Sequence, residues 1–447
     1  MNFKTLISWC MVASVFMDDF IILRYQIPFD FYVYYLFFIT CILYYMFTRN
    51  TTRLLPGWFF RAIALLIGTS VLVTFYNGTF DFKVIKQIIG ISFTSVAYYT
   101  FLSLNNFNLK KIFRWYIIAA FIVASYGILE EFLHFAGIHI SKDIRRTTFG
   151  LYRIYSIMGE PYFLAVAIIP ALYVLWSTYK KKNISFLFSR QLIALITVGT
   201  CFILTFSTAG FVGFSLIVLF WFYNKKYFSI TNWRFLFLPL IFAGLVLLFS
   251  NVKDEWQEFD IKYTQTINAF TADAPDRKNT ANLNSSSFAL YSNYLVAVSS
   301  FQDYPLTGTG LGTHEKNYMT RFSRFFDKDF LTRYGAFNAF DANSLFLRLM
   351  SETGLMGLGM FFLFLFKFFL RKKGYDIPEL RDYTLMNQGI FIWFVVRLVR
   401  TGNYFGNGFF LFFFIYYFSW KIVKGKLKER DAAIRQSKLK AVAMQQL

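Results

Sequence analysis

Charge is what this sequence has little of. Of its 447 residues only 16% are Asp, Glu, Lys or Arg, against roughly a quarter in a soluble protein of ordinary composition. Histidine occurs three times (His134, His139, His314), and so does cysteine (Cys10, Cys41, Cys201). No cluster of His, Cys, Asp and Glu has the spacing of metal ligands, so neither a metal nor any other cofactor is expected. The cysteines all fall in apolar stretches, which argues against a disulfide framework. No glycine-rich phosphate loop follows a strand pattern, which removes the common nucleotide sites. Sequence repeats of fixed period are lacking, and so is the alternating pattern of a membrane barrel.

Apolar residues fill the chain instead: 56% hydrophobic, 22% aromatic, with 61 Phe. Many windows of about 18 residues or more hold few or no charges, the signature of membrane-spanning helices. The expected fold is an all-α polytopic membrane protein with about 12 transmembrane helices and one large extracytoplasmic loop. The expected spans are 5–23, 29–47, 58–76, 87–104, 113–133, 161–178, 190–207, 210–223, 233–250, 344–370, 384–401 and 408–423. They divide the chain into 1–250 with nine spans, a loop at 251–342, three spans within 343–424, and a basic tail at 425–447. The first span resembles a signal peptide, but Met17, Asp18 and Asp19 stand where small residues would mark cleavage, so an uncleaved helix is expected.

The net charge of +21 reflects topology, and no nucleic-acid partner is expected. Arg49 and Arg53, Lys110 with Lys111 and Arg114, Lys180 to Lys182, Lys225 with Lys226, and Arg371 to Lys373 fall in alternate loops. They agree with one another only if those loops are cytoplasmic. Both termini are then cytoplasmic, and residues 134–160 and 251–342 face outward. The tail is expected on anionic lipid headgroups or in solvent. The long loop carries nine Lys and Arg against eleven Asp and Glu, so its basic residues are not a topology signal. Within it, SSFALYSNYLVAVSSF has the spacing of an amphipathic helix. TGTGLGTH is turn-rich, with glycines that permit positive φ. YMTRFSRFFDKDFLTRYGAF mixes aromatics with Arg321, Arg324 and Arg333, and is expected at the membrane surface.

Chemistry needs polar groups, and the few near the spans stand out. Arg397 and Arg400 lie three apart, so they are expected on one helix face near the outer end of the eleventh span. An arginine at a span centre costs roughly 2.5–3.5 kcal/mol, less near an end, so such a residue faces a partner or a watery cavity. A guanidinium fork suits phosphate oxygens. The bland readings are snorkelling to the interface or a pair with a carboxylate such as Glu352. Arg348 and Glu352 are four apart and can pair with each other. Arg153 and Glu160 lie in RIYSIMGEP, where Glu160 precedes Pro161 and also suits a helix cap. Glu130 and Glu131 are further carboxylate candidates. His314 ends TGTGLGTH, either as a base or as a solvated loop histidine.

These stretches resemble a known family. ANSLFLRLMSETGLMGLG is similar to the segment of O-antigen ligases and polymerases that reads His-Asn-x-x-Leu and then Glu-x-Gly-x-x-Gly. FQDYPLTGTGLG resembles the family's preceding loop, LTFSTAGFVGF its Ser-x-x-Gly turn between two spans, and RIYSIMGEP the Arg…Glu-Pro segment of exopolysaccharide polymerases. The resemblance covers most of the chain and implies a C-type glycosyltransferase architecture in the bacterial inner membrane, with its active site facing the periplasm. It implies a polymerase whose donor is a glycan on undecaprenyl pyrophosphate and whose acceptor is the next lipid-linked repeat unit. Membrane lipids and a chain-length regulator protein are the other expected partners. The catalytic candidates are Glu160, Asp341 and His314. The substrate-binding candidates are Arg153, Arg333, Arg348, Arg397, Arg400 and Asn343. Ala342 stands where the family's ligases have His, which argues against a ligase. Asp341 is adjacent, but helical geometry is expected to turn it about 100° away. The rivals are a ligase acting on the lipid A core and a flippase or transporter of lipid-linked sugars. Transporters place charges near the bilayer midplane, whereas here they gather at the outer ends of spans.

The expected topology places Asn284 outside and Gln446 in the cytoplasm. In a cysteine-free background, an impermeant maleimide added outside should label a cysteine at 284 and spare one at 446. Labelling of residue 284 only from the cytoplasmic side overturns the orientation.

Overall fold

The computed structural model describes residues 2–23, 31–49, 55–138, 147–148, 151–179, 191–225, 285–326, 336–406 and 408–445. The expected ninth span at 233–250, the first part of the long loop, and Arg333 lie outside the described residues. What is described is almost wholly helical. In chain order the helices are α1 (Phe3–Ala13, continued by a 3-10 turn Ser14–Phe16), α2 (Val33–Arg49), α3 (Gly57–Tyr76), α4 (Phe82–Leu104), α5 (Leu109–Phe135), α6 (Pro161–Thr178) and α7 (Gln191–Leu204). They continue as α8 (Thr208–Asn224), α9 (Ser285–Asp303), α10 (His314–Arg321), α11 (Leu345–Lys367), α12 (Lys372–Asp376), α13 (Pro378–Val399) and α14 (Phe409–Gln445). A 3-10 turn Phe322–Arg324 after α10 and two short antiparallel pairs, Ile21–Leu23 with Phe31–Tyr32 and Thr147–Thr148 with Leu151–Tyr152, complete the described elements.

Among the described residues, five helices are long and apolar enough to cross a membrane: α3, α4, α5, α6 and α11. The helices α1, α2, α7 and α8 are apolar but shorter. Some expected boundaries shift. The first helical stretch ends at Phe16 rather than residue 23, so Asp18 and Asp19 lie beyond it. The expected last span does not stop near residue 423 but runs on into the basic tail as one 37-residue helix. At 1.5 Å per residue that is about 55 Å, well beyond a hydrocarbon core of about 30 Å.

Helix α6 is the spine of the bundle, and nearly every residue from Leu164 to Thr178 is buried. It packs along α13, where Gly389 allows close approach: a Cβ there would sit 3.2 Å from the Cα of Pro170. Trp393, Phe394, Phe409 and Phe412 fill the space between α13 and α14. Capping side chains mark several helix starts: Asn2, Asn108, Ser207 and Ser344 accept from backbone amides of their own first turns. Such caps satisfy donors that a helix end leaves without partners.

The loop region folds as a small unit on the bundle. The expected amphipathic helix is α9. The described part of the aromatic stretch expected at a membrane surface packs inward instead. Phe288, Tyr291, Val296, Tyr318, Phe322, Phe326 and Ala339 form a core of their own. Arg321 turns inward to Asp303 and to the Ser299 carbonyl. Between α9 and α10 the TGTGLGT turn inserts among α3, α4 and α11. Leu311 N donates to Ser70 Oγ at 2.7 Å and Thr79 Oγ1 donates to the Thr309 carbonyl at 2.9 Å.

Helix α11 breaks at Gly354, where φ is +58°. The loop supplies partners around that break. Thr309 N and Gly310 N donate to the carbonyls of Ser351 and Glu352, and Leu355 N and Met356 N donate to those of Pro305 and Leu306. Irregular backbone at membrane depth is tolerated only where protein satisfies it. Gly310 has φ +104°, and a Cβ there would overlap Thr74. We therefore expect Gly310→Ala to lower stability by roughly 1–3 kcal/mol or more. Gly425→Ala, on an open helix face, should gain up to about 1 kcal/mol. Thermal unfolding in detergent measures both, and equal melting of the two variants refutes the role given to Gly310.

Candidate active site

The chain ends of α1, α6, α11 and α13 meet at one end of the bundle. Those basic groups of the topology signal that are among the described residues lie at the other. There Arg49 donates to Asn106 Oδ1 at 2.7 Å, Lys110 pairs with Asp382 at 2.6 Å, and Lys372 reaches the Tyr223 carbonyl at 3.2 Å.

Arg348 holds the site end together. Its Nε donates to Glu352 Oε1 at 3.1 Å, Nη1 to the Gly402 carbonyl at 3.1 Å, and Nη2 to Gln87 Oε1 at 2.9 Å. Its guanidinium also lies 4.5 Å from the centre of the Tyr404 ring. One buried side chain thus ties α11 to α4 and to the loop after α13. The expected Arg348–Glu352 pair is present, and its four-residue spacing on one helix explains it.

Asp341 is buried and anchors two loops. Its Oδ1 accepts from Asn343 N at 2.9 Å and its Oδ2 from Gly402 N at 3.2 Å. Gly402 is required because a Cβ would overlap the Asp341 carbonyl. Burial pushes the Asp341 carboxyl up, while the Asn343 and Gly402 amides, Arg348 and Arg400 oppose it. The expected helical offset between residues 341 and 342 does not arise, because α11 begins only at Leu345. Ala342 and Asn343 instead have φ +56°. Ala342 packs with Ala297, Leu347 and Met350, so its Cβ lies in an apolar cluster.

Arg397 and Arg400 do not share a helix face. The helix ends at Val399 and Arg400 is extended, with φ −141° and ψ 143°. Arg397 is fully buried. It lies against Trp393 and Phe409, with its Cζ 4.7 and 5.5 Å from the ring centres. Nη2 donates to the Asn403 carbonyl, while Nε and Nη1 have no hydrogen-bond partner. Arg400 is half-exposed and lies 5.3 Å above the Tyr162 ring. Asn343 Nδ2 and Thr401 Oγ1 are likewise buried without partners, and Thr401 N donates to the Asn343 carbonyl. Unpartnered polar atoms thus occur on the two loops that carry Asp341 and Arg400, as they also do on Gln87, Glu352, Trp393 and Tyr404 and, elsewhere in the bundle, on Ser177 and Trp420.

Glu160 stands at the start of α6 as an exposed residue. Its carbonyl accepts from Phe163 N and Leu164 N, but its side chain makes no capping bond. Asp341, Glu160, Arg400 and Asp18 all lie within electrostatic reach of Tyr162. Arg153 Nε donates to the Thr205 carbonyl at 3.3 Å, which fastens the 151–158 segment to the turn between α7 and α8.

His314 lies away from this group. It is fully buried at the start of α10, with Nδ1 3.0 Å from Ser351 Oγ and Nε2 3.0 Å from Asn293 Oδ1. Asn293 uses its Nδ2 on the carbonyls of Ala289 and Phe337. Its Oδ1 is therefore an acceptor, His314 Nε2 carries the proton, and Nδ1 accepts from Ser351. The imidazole is neutral and engaged at both nitrogens.

The structure thus gathers Glu160, Asp341, Asn343, Arg348, Arg397 and Arg400. It sets His314 behind the Glu352 shell and Arg153 beside the α7–α8 turn. Sequence reasoning missed Gln87, Tyr162, Tyr404 and Asp18. Only Gln87 and Asp18 carried a signal, as polar residues in apolar surroundings.

These features define a polytopic helical membrane protein with a cationic, partly unsatisfied site at one end of its bundle. Residues 192–362 match a family model described as O-antigen ligase. That match supports membership of the O-antigen ligase/polymerase superfamily, whose members are glycosyltransferase-like enzymes. It covers α7 to α11 as far as Phe362, including Arg348, whereas Glu160, Arg397 and Arg400 lie outside it. No curated protein matches the chain.

His314 makes folding pH-dependent. Burial, with Arg348 adding to it, holds its pKa down to about 3, against 6.5 for the free side chain. The unfolded chain therefore binds the extra proton first. Stability from this residue is complete above about pH 6.5 and falls as pH drops toward 3, by up to about 1.4 kcal/mol per unit. His314→Gln should flatten this acid dependence in melting curves. A slope equal to wild type rules the assignment out.

Proposed function

We propose that this protein is a polymerase of lipid-linked polysaccharide repeat units, of O-antigen, capsule or exopolysaccharide. It transfers the growing glycan from undecaprenyl pyrophosphate to the next lipid-linked unit, without a metal, at the periplasmic face of the bacterial inner membrane. The twelve-span topology with cytoplasmic termini belongs to the same reading, and the segregation of the basic groups away from the site supports it.

The observation that carries this reading is Arg397. Burying a guanidinium costs several kcal/mol, and each donor left without a partner adds roughly 1–3 kcal/mol. An anion that enters the site would meet Nε and Nη1 and offset that cost. A pyrophosphate leaving group develops negative charge as the glycosidic bond breaks, and fixed cations stabilise it. Arg397 and the half-exposed Arg400 supply two such cations. The acceptor hydroxyl attacks the anomeric carbon and passes its proton to a base. Glu160 fits that role best: it is exposed, its side chain does not cap α6, and it shares the surroundings of Tyr162 with Arg400. Asp341 has both oxygens engaged by amides, and His314 is neutral and enclosed. Ala342, in place of the imidazole of the family's ligases, favours polymerase over ligase.

The test is polymer formation from lipid-linked repeat units by purified protein. Arg397→Ala, Arg400→Ala and Glu160→Gln should each slow turnover by about a hundredfold or more. Arg397→Lys should fail nearly as badly as Arg397→Ala, because Lys keeps the charge but loses the fork. In a deletion strain, core bearing a single repeat indicates a polymerase and bare core a ligase. Wild-type chain lengths from both arginine-to-alanine variants reject the site.

A further inference from the structure

The end of the first helix is part of the site. In the 3-10 turn after α1, Ser14 Oγ lies 2.8 Å from Tyr98 OH, and Phe16 stacks on Tyr116 at 5.9 Å between ring centres. Val15 faces the loop after α13, where a Cβ on Gly408 would lie 2.8 Å from Val15 Cγ2. These contacts fix the direction of the next residues. A Cβ on Gly159 would lie 3.5 Å from Asp19 Cγ, so the chain at 18–19 rests against the residue just before Glu160. Asp18 Oδ1 is closed to solvent and has no hydrogen-bond partner. A carboxylate oxygen is thus enclosed beside the segment that carries Glu160.

We propose that Asp18 is a positioning residue for Glu160, holding the Gly159–Glu160 segment and strengthening the Glu160 carboxylate as a base through like-charge proximity. This inference rests on the reading of Glu160 as the base. The charged and titratable groups around the pair are Asp19 beside Asp18, Tyr162 of α6, Arg400 at the end of α13, and Asp341 before α11. Burial pushes the Asp18 carboxyl up to about 7, with Asp19 and Glu160 acting in the same direction and the Asp18 and Gly159 amides against it. As pH rises through neutrality, Asp18 ionises. Its charge then makes Glu160 hold a proton more tightly. The acceptor hydroxyl meets a stronger base, and turnover rises over that range.

The experiment measures polymer formation by the full-length protein against pH, with melting temperature recorded for each variant. Asp18→Asn should melt as wild type, lose about tenfold in kcat at neutral pH with KM little changed, and move the acidic limb down by about one pH unit. Asp18→Glu keeps the charge and should restore the wild-type limb. Should Asp18→Asn not fold, Asp18→Ser serves in its place. A folded Asp18→Asn or Asp18→Ser variant with the wild-type pH profile overturns the inference. The Glu160→Gln control separates the two readings. If it is active, the base assignment fails and this inference with it. If it is inactive while Asp18→Asn is unchanged, only the role of Asp18 fails.

Discussion

Burying a guanidinium in an apolar bundle costs several kcal/mol unless partners meet it. Arg348 is met by a carboxylate, a side-chain amide, a backbone carbonyl and an aromatic ring. The partners come from α11 itself, from α4 and from the loop after α13, so satisfying this one cation brings those three together. The Glu352 oxygen that receives Arg348 Nε also accepts from His314 N at 3.2 Å, which draws in the start of α10. The site end of the molecule is a consequence of that requirement.

The interruption of α11 obeys the same rule for the backbone. Around Gly354 the amides of Leu355 and Met356 and the carbonyls of Ser351 and Glu352 are met by the turn at 305–310. The turn comes that close because its glycines have no Cβ to collide with Thr74 or with the helix backbone. The described part of the long loop is therefore bonded into the bundle, and Gly402 and Asp341 bond the loop after α13 to the segment before α11. The donors of Arg397, Asn343 and Thr401 are buried without hydrogen-bond partners, and buried groups of that kind call for an explanation such as a functional role. Asp341 also illustrates the limit of adjacency. It stands next to the position of the missing imidazole, and helical geometry is expected to turn it away from there; instead there is no helix at 341–342, and both its oxygens hold backbone amides.

The sequence by itself determined the class. Low charge and long apolar runs leave a chain no stable form but helices in a bilayer, because backbone groups there must bond within their own segment. It also marked the Arg348–Glu352 pair, the glycine turn, and the short motifs that resemble the family, such as ANSLFLRLMSETGLMGLG and LTFSTAGFVGF, all of which depend on local spacing. What it did not determine was where helices stop and what meets across the bundle. The face shared by Arg397 and Arg400 failed because α13 ends at Val399. The offset of Asp341 from Ala342 failed because α11 starts three residues past Ala342. His314 read as a loop histidine and is enclosed because Asn293 and Ser351 close on it from distant positions. Asp18 looked like a mark against cleavage and lies beside Glu160, because the first helix ends at Phe16. The ends of α11 and α13 are also tied to each other, by Ser344 Oγ donating to the Leu398 carbonyl and Gly402 N to Asp341 Oδ2, and contacts between segments that far apart cannot be read from local spacing.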